Sequence, residues 1–262
     1  MARLTTSLFR GAYTCLAGMA DLLLPDVCGA CGAAPVAAEG LCPPCNLELL
    51  SLVAMPFCPR CGHTLGPNVP ADEDGCGGCP PTLGHFDRVF RLGPYTACLR
   101  RAIRDMKYHR RQRLRRRLTD LLAHRIATDW PGEDFDAVVT VPMHWLRRLQ
   151  RGFDHARSIA SRLAAALALP LGNDLIRIRN TPPQTHLPRS RRIENVRGAF
   201  ALRSADTVRG ASLLLVDDVT TTGATVDEAA RILLHAGAHH VAVAVFAKAE
   251  APTAYAAHLQ EP

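Results

Sequence analysis

The chain has 262 residues and a formal net charge of +7, with 48% hydrophobic and 21% charged residues. This composition is ordinary for a folded globular protein, and the length allows one large domain or two smaller ones. No apolar run approaches the roughly 18 residues of a membrane span, so we expect no membrane insertion. The basic balance favours anionic partners such as phosphates, pyrophosphate or nucleic acid.

Residues 1–27 are predicted to form an amphipathic helix. Leucines such as Leu4 and Leu8 lie partly on one face of that helix. Arg3 and Arg10 flank no clean apolar segment, which argues against a secretory signal peptide. Because the chain also keeps many thiols in a metal-binding pattern, we predict a reducing, cytoplasmic location.

Eight of the ten cysteines form four C-x-x-C pairs in the segment 28–82. This spacing is typical of metal-binding knuckles, and four thiolates at about 2.3 Å satisfy one tetrahedral Zn²⁺. Eight thiolates satisfy two ions, so we predict a double zinc ribbon. The predicted ligands are Cys28, Cys31, Cys42, Cys45, Cys58, Cys61, Cys76 and Cys79.

The pairing of these ligands and the identity of the metal stay open at this stage. The pairs can share ions in sequential order or in a cross-braced order, and an iron–sulfur cluster or redox chemistry is the rival interpretation. The segment has few core-forming residues, so we expect it to fold only with metal bound. Cys15 and Cys98 stand alone and are interpreted as buried thiols.

An arginine-rich stretch follows a predicted strand over residues 85–95. Residues 100–117 hold nine arginines and one lysine against Asp105, and their apolar spacing predicts two helices broken near residues 108–111. The stretch is either a solvated helical face or a track for a nucleic-acid backbone, with Tyr108 available for stacking. The candidate contacts are Arg100, Arg101, Arg104, Lys107, Tyr108, Arg110 and Arg111.

The most informative stretch starts at the apolar run 213–216, which is typical of a strand buried in a parallel sheet. Asp217 and Asp218 follow, then three threonines, a glycine and a helical pattern over Ala224–His235. Gly237 is the expected C-terminal cap of that helix. The sequence therefore predicts a strand, an acidic tip, a loop of small residues and a helix.

The predicted loop suits a phosphate. A helix N-terminus offers unpaired N–H groups, and small residues bring further N–H groups close to an anion. The two aspartates can accept hydrogen bonds from vicinal hydroxyls or hold a cation through water. A phosphate beside a diol describes a ribose 5-phosphate. The alternative is an ordinary turn in which Asp and Thr cap the helix.

A second buried strand is predicted over residues 135–142, and a basic loop follows it. Because ligands of open α/β sheets bind beyond the carboxyl ends of the strands, we expect this loop beside the acidic tip. Its arginines can neutralise a pyrophosphate there; the alternative is a plain surface loop. The candidates are His144, Arg147, Arg148, Arg151 and Gly152.

The remaining C-terminal half contains two further predicted strands. The first, over residues 175–179, leads into a polar loop that is long for a compact domain and is typical of a mobile lid. The last strand is predicted over residues 240–247, with only a tail beyond Glu250.

The motif V-D-D-V-T-T-T-G-A-T at 216–225 resembles the 5-phosphoribosyl 1-pyrophosphate (PRPP) signature of type I phosphoribosyltransferases. The resemblance implies that Asp217 and Asp218 contact the ribose 2′ and 3′ hydroxyls and that the loop holds the 5′-phosphate. The implied PRPP-binding residues are Asp217, Asp218, Thr220, Thr221, Thr222, Gly223, Ala224 and Thr225.

The whole chain from Leu22 to about Lys248 is similar to the ComF family, also called competence protein F. The matching motifs are the Cys-rich segment, M-K-Y at 106–108, V-P-x-H-x-x-R-x-x-x-R-G-F at 141–153, T-P-P-Q at 181–184 and N-x-R-G-A-F at 195–200. Five residues match the family's flexible-loop motif, namely Gln184, Leu187, Arg189, Arg192 and Asn195. Asp154 and Pro188 depart from the pattern, where the family has an amide and a serine.

This resemblance implies an α/β fold, in which a type I phosphoribosyltransferase-like parallel sheet with flanking helices (83–262) follows the zinc segment (28–82). It also implies a role in DNA uptake with single-stranded DNA, a ComFA-like helicase and a DprA-like protein as partners. Three functions remain: a Mg²⁺-dependent phosphoribosyltransferase, a non-catalytic module that binds nucleic acid and partner proteins, or a PRPP-dependent regulator. No residue is identifiable as a general base, and no pattern identifies the acceptor.

Overall fold

The computed structural model describes residues 27–33, 40–72, 74–80, 83–109, 112–130, 135–146, 149, 153–181, 188 and 191–250. The amphipathic helix predicted at the N-terminus lies outside these residues, as do Cys15 and the chain beyond Glu250. Among the described residues, no helix is both long enough and apolar enough to cross a bilayer.

The described residues form six helices and eight strands, numbered here in chain order. The helices are α1 (Pro43–Val53), α2 (Ala97–His109), α3 (Gln112–Asp129), α4 (His155–Ala166), α5 (Arg191–Val196) and α6 (Ala224–His235). The strands are β1 (Arg88–Pro94), β2 (Ala137–Thr140), β3 (Leu171–Gly172), β4 (Leu175–Arg177), β5 (Phe200–Leu202), β6 (Ser212–Val216), β7 (Val219–Thr220) and β8 (His240–Lys248).

A parallel sheet forms the centre of the molecule, in the order β1-β8-β6-β2-β3, with β7 also pairing β8. Val216 at the end of β6 lies opposite Thr140 of β2 on one side and Ala244 of β8 on the other. This arrangement confirms the predicted fold class. It also brings the carboxyl ends of β6 and β2 side by side, as open α/β sheets require for a site at that edge.

The two faces of the sheet are covered by different layers. Leu214 and Val216 of β6 belong to a core with α1, α2, α3 and α4, whereas Leu213 and Leu215 belong to a core with α6. Successive side chains of a strand point to opposite faces, so an uninterrupted apolar run is needed when both faces are covered. The continuous apolar character of β6 therefore follows from its central place.

The segment 175–200 differs from its prediction. The first strand there ends at Arg177 and pairs with β5 in a separate antiparallel sheet of two strands. The loop that follows is interrupted by α5, which packs against α6. The helix has only six residues, too few for a readable 3.6-residue period.

The cysteine segment also differs from its prediction, because it contributes to the main core. Helix α1 starts with a proline in its first turn, a position that proline favours. Its residues Leu49 and Leu52 are buried against Phe90 and Leu92 of β1. The expectation of few core-forming residues is therefore wrong for this helix.

Candidate functional site

The acidic pair lies at the carboxyl end of β6 and is held by the neighbouring strand. The backbone N–H of Asp217 donates to the carbonyl of Ala244 (3.1 Å), and Phe246 N–H donates to the carbonyl of Asp218 (3.0 Å). The Asp217 carboxylate also accepts the N–H of Asp218 at 2.8 Å. Both aspartates are half-buried at the edge of the sheet, so their positions are set by backbone contacts.

The loop after the aspartates leads directly into the N-terminus of α6. Gly223 is the N-cap, with φ +88°, and it provides no side chain to cap the helix. The hydroxyl of Thr222 accepts a hydrogen bond from Ala224 N–H at 3.4 Å. The first-turn N–H groups of a helix lack intrahelical partners, so this loop has the donors that a phosphate needs.

The connection between the second cysteine group and β1 packs against this loop, and the sequence contains no signal for it. A Cβ on Gly223 would lie 2.6 Å from Cδ2 of Leu83. The carboxylate of Asp227 in α6 accepts the backbone N–H groups of Gly84 and His85, each at 3.1 Å, and lies 2.9 Å from His85 Nδ1. Arg60, from the third C-x-x-C pair, donates to the carbonyl of Leu83 at 3.3 Å.

The end of β2 lies beside the end of β6, from which the acidic pair follows. Val141 N–H donates to the carbonyl of Val216 at 2.9 Å, and His144 is buried just beyond it. The other predicted pyrophosphate-loop residues, Arg147, Arg148, Arg151 and Gly152, lie outside the described residues.

The family departure at Asp154 has a structural explanation. Asp154 is the N-cap of α4, and its side chain accepts the N–H of Arg157 at 3.0 Å. Aspartate is among the best N-cap residues, and a negative charge there also suits the helix dipole. The carboxylate is therefore engaged in holding the helix end.

The flexible loop predicted between β4 and β5 is anchored at its far end. Gln184 and Arg189 lie outside the described residues, whereas Arg192 and Asn195 lie half-buried in α5. After α5, Gly198 N–H donates to the buried carboxylate of Glu228 in α6 at 2.7 Å. The end of this loop is thus attached to the helix that follows the acidic pair.

The eight C-x-x-C cysteines form two groups of four in sequential order, with all Sγ atoms of a group within 4.8 Å of one another. A tetrahedron with metal–sulfur distances of about 2.3 Å has edges of about 3.8 Å. The observed Sγ–Sγ distances of 3.7 Å (Cys31 to Cys42), 3.6 Å (Cys58 to Cys79) and 3.9 Å (Cys61 to Cys76) fit those edges. The groups therefore suit two structural zinc ions.

In the first group of four cysteines, the surroundings of Cys28 favour its thiolate form. Burial acts to raise the pKa of the Cys28 thiol, but hydrogen bonds from the backbone N–H groups of Cys31, Cys42 and Ala30 outweigh burial and lower the pKa to about 6. Thiolates are the form that binds metal. Cys98, which belongs to neither group, is buried, and burial together with Glu48 raises the pKa of its thiol to about 12.

The described arginines of the arginine-rich stretch differ in exposure and in partners. Arg100 and Arg104 are exposed on α2, whereas Arg101 forms an ion pair with Glu48 at 3.3 Å. Arg115 of α3 is buried, with its guanidinium 4.9 Å from the ring centre of Phe153. Lys107 and Tyr108 lie within α2 by their backbone, and Arg110 and Arg111 lie outside the described residues.

Two protein families match the chain. The family described as Phosphoribosyl transferase domain matches residues 107–258, and the family described as Double zinc ribbon domain matches residues 19–80. A solved structure of adenine phosphoribosyltransferase from Saccharomyces cerevisiae is 15% identical, with a TM-score of 0.36, and the match covers 52% of this chain and 71% of that one.

Named relatives match over most of their length. "DNA utilization protein YhgH" of Salmonella typhi is 32% identical over 85% of this chain and 96% of its own. "Competence protein F" of Haemophilus influenzae is 27% identical over 82% of this chain and 93% of its own. The chain therefore belongs to the ComF family, in which a phosphoribosyltransferase-type domain follows a double zinc ribbon.

Proposed function

We propose that this chain binds PRPP with Mg²⁺ at the acidic pair and the loop before α6, and that it acts on DNA in the cytoplasm. One observation carries the proposal: two half-buried aspartates at the end of the central strand are followed directly by a helix N-terminus behind a glycine with positive φ. This edge of the sheet combines acceptors for a diol with donors for a phosphate.

Each proposed contact follows from the chemistry of the groups. Asp217 and Asp218 accept hydrogen bonds from the ribose 2′ and 3′ hydroxyls. The 5′-phosphate is held by the backbone and hydroxyls of the loop, with contacts from Thr220, Thr221, Thr222, Gly223, Ala224 and Thr225. The same carboxylates are hard oxygen ligands of the kind that Mg²⁺ prefers, directly or through its waters, and the metal would offset the charge of the pyrophosphate.

In the enzymatic form of the proposal, an acceptor displaces pyrophosphate at the anomeric carbon. The chain would contribute positioning of the ribose and stabilisation of the leaving pyrophosphate by the basic loop around His144. The division into an N-terminal helix (1–27), a zinc ribbon (28–82) and a transferase-like domain (83–262) is part of the same proposal. In that division the ribbon supports the site and does not join in the chemistry.

The role in DNA handling comes from the relatives, which are named for DNA utilization and for competence. We propose that this chain likewise contacts single-stranded DNA, and that partners resembling the ComFA helicase and DprA work with it. The exposed arginines Arg100 and Arg104 support contact with an anionic polymer. The second candidate function is a module that binds DNA and partner proteins without catalysis. It is supported by the same exposed arginines and by the names of the relatives.

Calorimetric titration of PRPP with Mg²⁺ tests the proposal. The wild type should bind, and the Asp217→Asn, Asp218→Asn double variant should lose binding because the carboxylates no longer hold the diol or the metal. The control is the Asp206→Asn, Glu194→Gln double variant, which removes the same charge at two exposed positions and should bind like the wild type. No binding by a folded, zinc-loaded wild type would refute the PRPP site.

DNA binding by the same double variant separates the two candidate functions. If DNA binding survives while PRPP binding and any transfer activity are lost, the two activities use different parts of the chain. A wild type that binds both ligands but transfers no ribosyl group to any nucleotide or base tested would favour the module.

A further inference from the structure

A cleft of about 580 Å³ opens at the carboxyl end of β2, and its described lining contains none of the residues to which we assign the ribose and its 5′-phosphate. It lies between β2, β3 and the small antiparallel sheet. The lining residues that matter here are Thr140, Trp145, Arg157, Arg177 and Arg203.

Trp145 presents an unusually exposed indole at this cleft. Its fractional exposure is 60%, and its ring contacts the imidazole of His144 at a centroid distance of 5.8 Å. By contrast, the chain's other tryptophan, Trp130, is packed against neighbouring side chains. Its ring stacks on His240 with a centroid distance of 6.0 Å, and the guanidinium of Arg88 lies 4.3 Å from its ring centre. An exposed aromatic face beside a basic cleft is what base-stacking sites provide.

Thr140 adds an independent sign of a ligand. Its fractional exposure is 9%, and its hydroxyl oxygen is buried without a hydrogen-bond partner among the described residues. Buried polar groups are almost always hydrogen-bonded in native proteins. Thr140 is one of the residues that line the cleft, so a ligand or ordered water that reaches its side chain can supply the missing partner.

The cleft carries a net positive charge, and contacts with neighbouring residues position two of its arginine side chains. Arg157 donates to the side-chain oxygen of Asn173 at 2.7 Å, and Arg177 donates to Thr181 and lies 5.3 Å from the ring centre of Phe200. Arg203 is exposed at the far end of the small sheet. The carboxylate of Asp154, also in the lining, is already engaged as the N-cap of α4.

A planar ring with flanking negative charges fits this arrangement. We propose that the cleft binds a short segment of single-stranded nucleic acid, with one base stacked on Trp145 and the adjoining phosphates on Arg177 and Arg203. The inference rests on the proposed contact with DNA and places a stacked base and two phosphates of that contact in the cleft. Because the arginines come from three separate elements around an open cleft, a chain of nucleotides reaches them better than one small anion does.

The two tryptophans allow a direct test with the full-length, zinc-loaded chain. The Trp130→Phe variant leaves Trp145 as the sole indole emitter, and Trp145→Phe leaves Trp130. Titration with a short oligothymidylate should quench the emission of the first variant to saturation and leave the second unchanged. Replacing Trp145 with alanine should weaken binding about 5- to 150-fold, because one stacked base contributes roughly 1–3 kcal/mol. Zinc content and circular dichroism establish that each variant is folded.

The arginines are tested by the salt dependence of the same binding. Loss of one phosphate contact lowers the slope of log affinity against log salt by about 0.7 for a single strand. We expect this decrease in slope for Arg203→Gln. The control is Arg209→Gln, which removes the same charge from an exposed arginine outside the cleft and should leave the slope unchanged.

Three results would overturn the inference. The first is equal quenching in both tryptophan variants, and the second is quenching of Trp145 by PRPP or pyrophosphate alone, which would make the cleft a small-anion site. The third is absence of oligothymidylate binding by the wild type. The third result would also remove the DNA contact from the proposed function. The proposed PRPP site is tested independently of it, by calorimetry.

Discussion

Leu83 lies so close to Gly223 that a single added Cβ would be 2.6 Å from its Cδ2 atom. Leu83 belongs to the connection between the second cysteine group and β1, and its carbonyl accepts a hydrogen bond from Arg60 of that group. The zinc ribbon therefore braces the loop to which we assign the 5′-phosphate. Changes at either end of this contact should affect both stability and ligand binding.

Replacing Gly223 with alanine should destabilise the protein and weaken PRPP binding. The residue has φ +88°, and an added Cβ would lie 2.6 Å from Cδ2 of Leu83, so the Leu83 side chain must shift. A non-glycine residue in such a conformation costs about 1–3 kcal/mol, and the shift of Leu83 adds to that cost. Urea denaturation and calorimetry measure the two effects. Gly210→Ala is the matched control, because φ is +72° there and no atom lies within 4 Å of the added Cβ. A Gly223→Ala variant no less stable than Gly210→Ala would contradict the close contact.

Removal of one zinc ligand should release one of two zinc ions and weaken the phosphate loop. Cys61 belongs to the same buried cluster as Leu83, so the Cys61→Ser variant should retain a single zinc by atomic absorption and bind PRPP less tightly. Cys98→Ser is the control, since this buried thiol lies in neither metal group and both ions should remain. Two zinc ions in the Cys61→Ser variant would argue against Cys61 as a zinc ligand.

Loss of the charge on Glu250 should cost about 3 kcal/mol of unfolding free energy. Glu250 lies 3.6 Å from Nη1 of Arg91, whose side chain is 1% exposed, and accepts the N–H and hydroxyl of Thr64 at 2.7 and 2.9 Å. Burial lowers the pKa of Arg91 to about 10, and Glu250 opposes that shift. Glu250→Gln therefore leaves a buried cation unpaired.

The measurement is urea denaturation at neutral pH, with Asp206→Asn as the exposed control that removes the same charge. An unfolding free energy of Glu250→Gln within error of that control would mean that the buried arginine needs no partner.

The stabilisation by Glu228 should depend on pH. A hydrogen bond from Arg231, aided by the N–H of Gly198, holds the pKa of the Glu228 carboxyl below its usual value. Because the folded pKa is lower than the unfolded value of about 4.3, the stabilising contribution is present above that value and is lost as the pH falls through the folded pKa. We expect Glu228→Gln to cost about 1–3 kcal/mol at pH near 7.

Urea denaturation of both proteins from pH near 7 downwards measures this difference, which should shrink once the pH falls below about 4. The two proteins carry the same zinc ligands, so loss of zinc in acid affects both. Glu194→Gln, at an exposed position of α5, should show no such pH dependence. A difference that stays constant into the acid range would show that the Glu228 carboxyl is not charged in the folded protein.

The sequence by itself determined the features that are local along the chain. The C-x-x-C spacing led to two zinc sites, and the run from residue 213 to His235 led to the strand and to the observed bounds of α6. Such signals survive in a single sequence because a knuckle, a buried strand and a capped helix each depend on residues a few positions apart.

The tertiary structure alone decided the relationships between distant residues. The first cysteine group joins the core on one face of the sheet and the second joins the core on the other face. Glu250 contacts Thr64 across 186 positions of sequence, and Leu83 covers Gly223. Periodicity says which residues are buried but not which partners bury them, because partners are set by strand order and by the packing of whole layers.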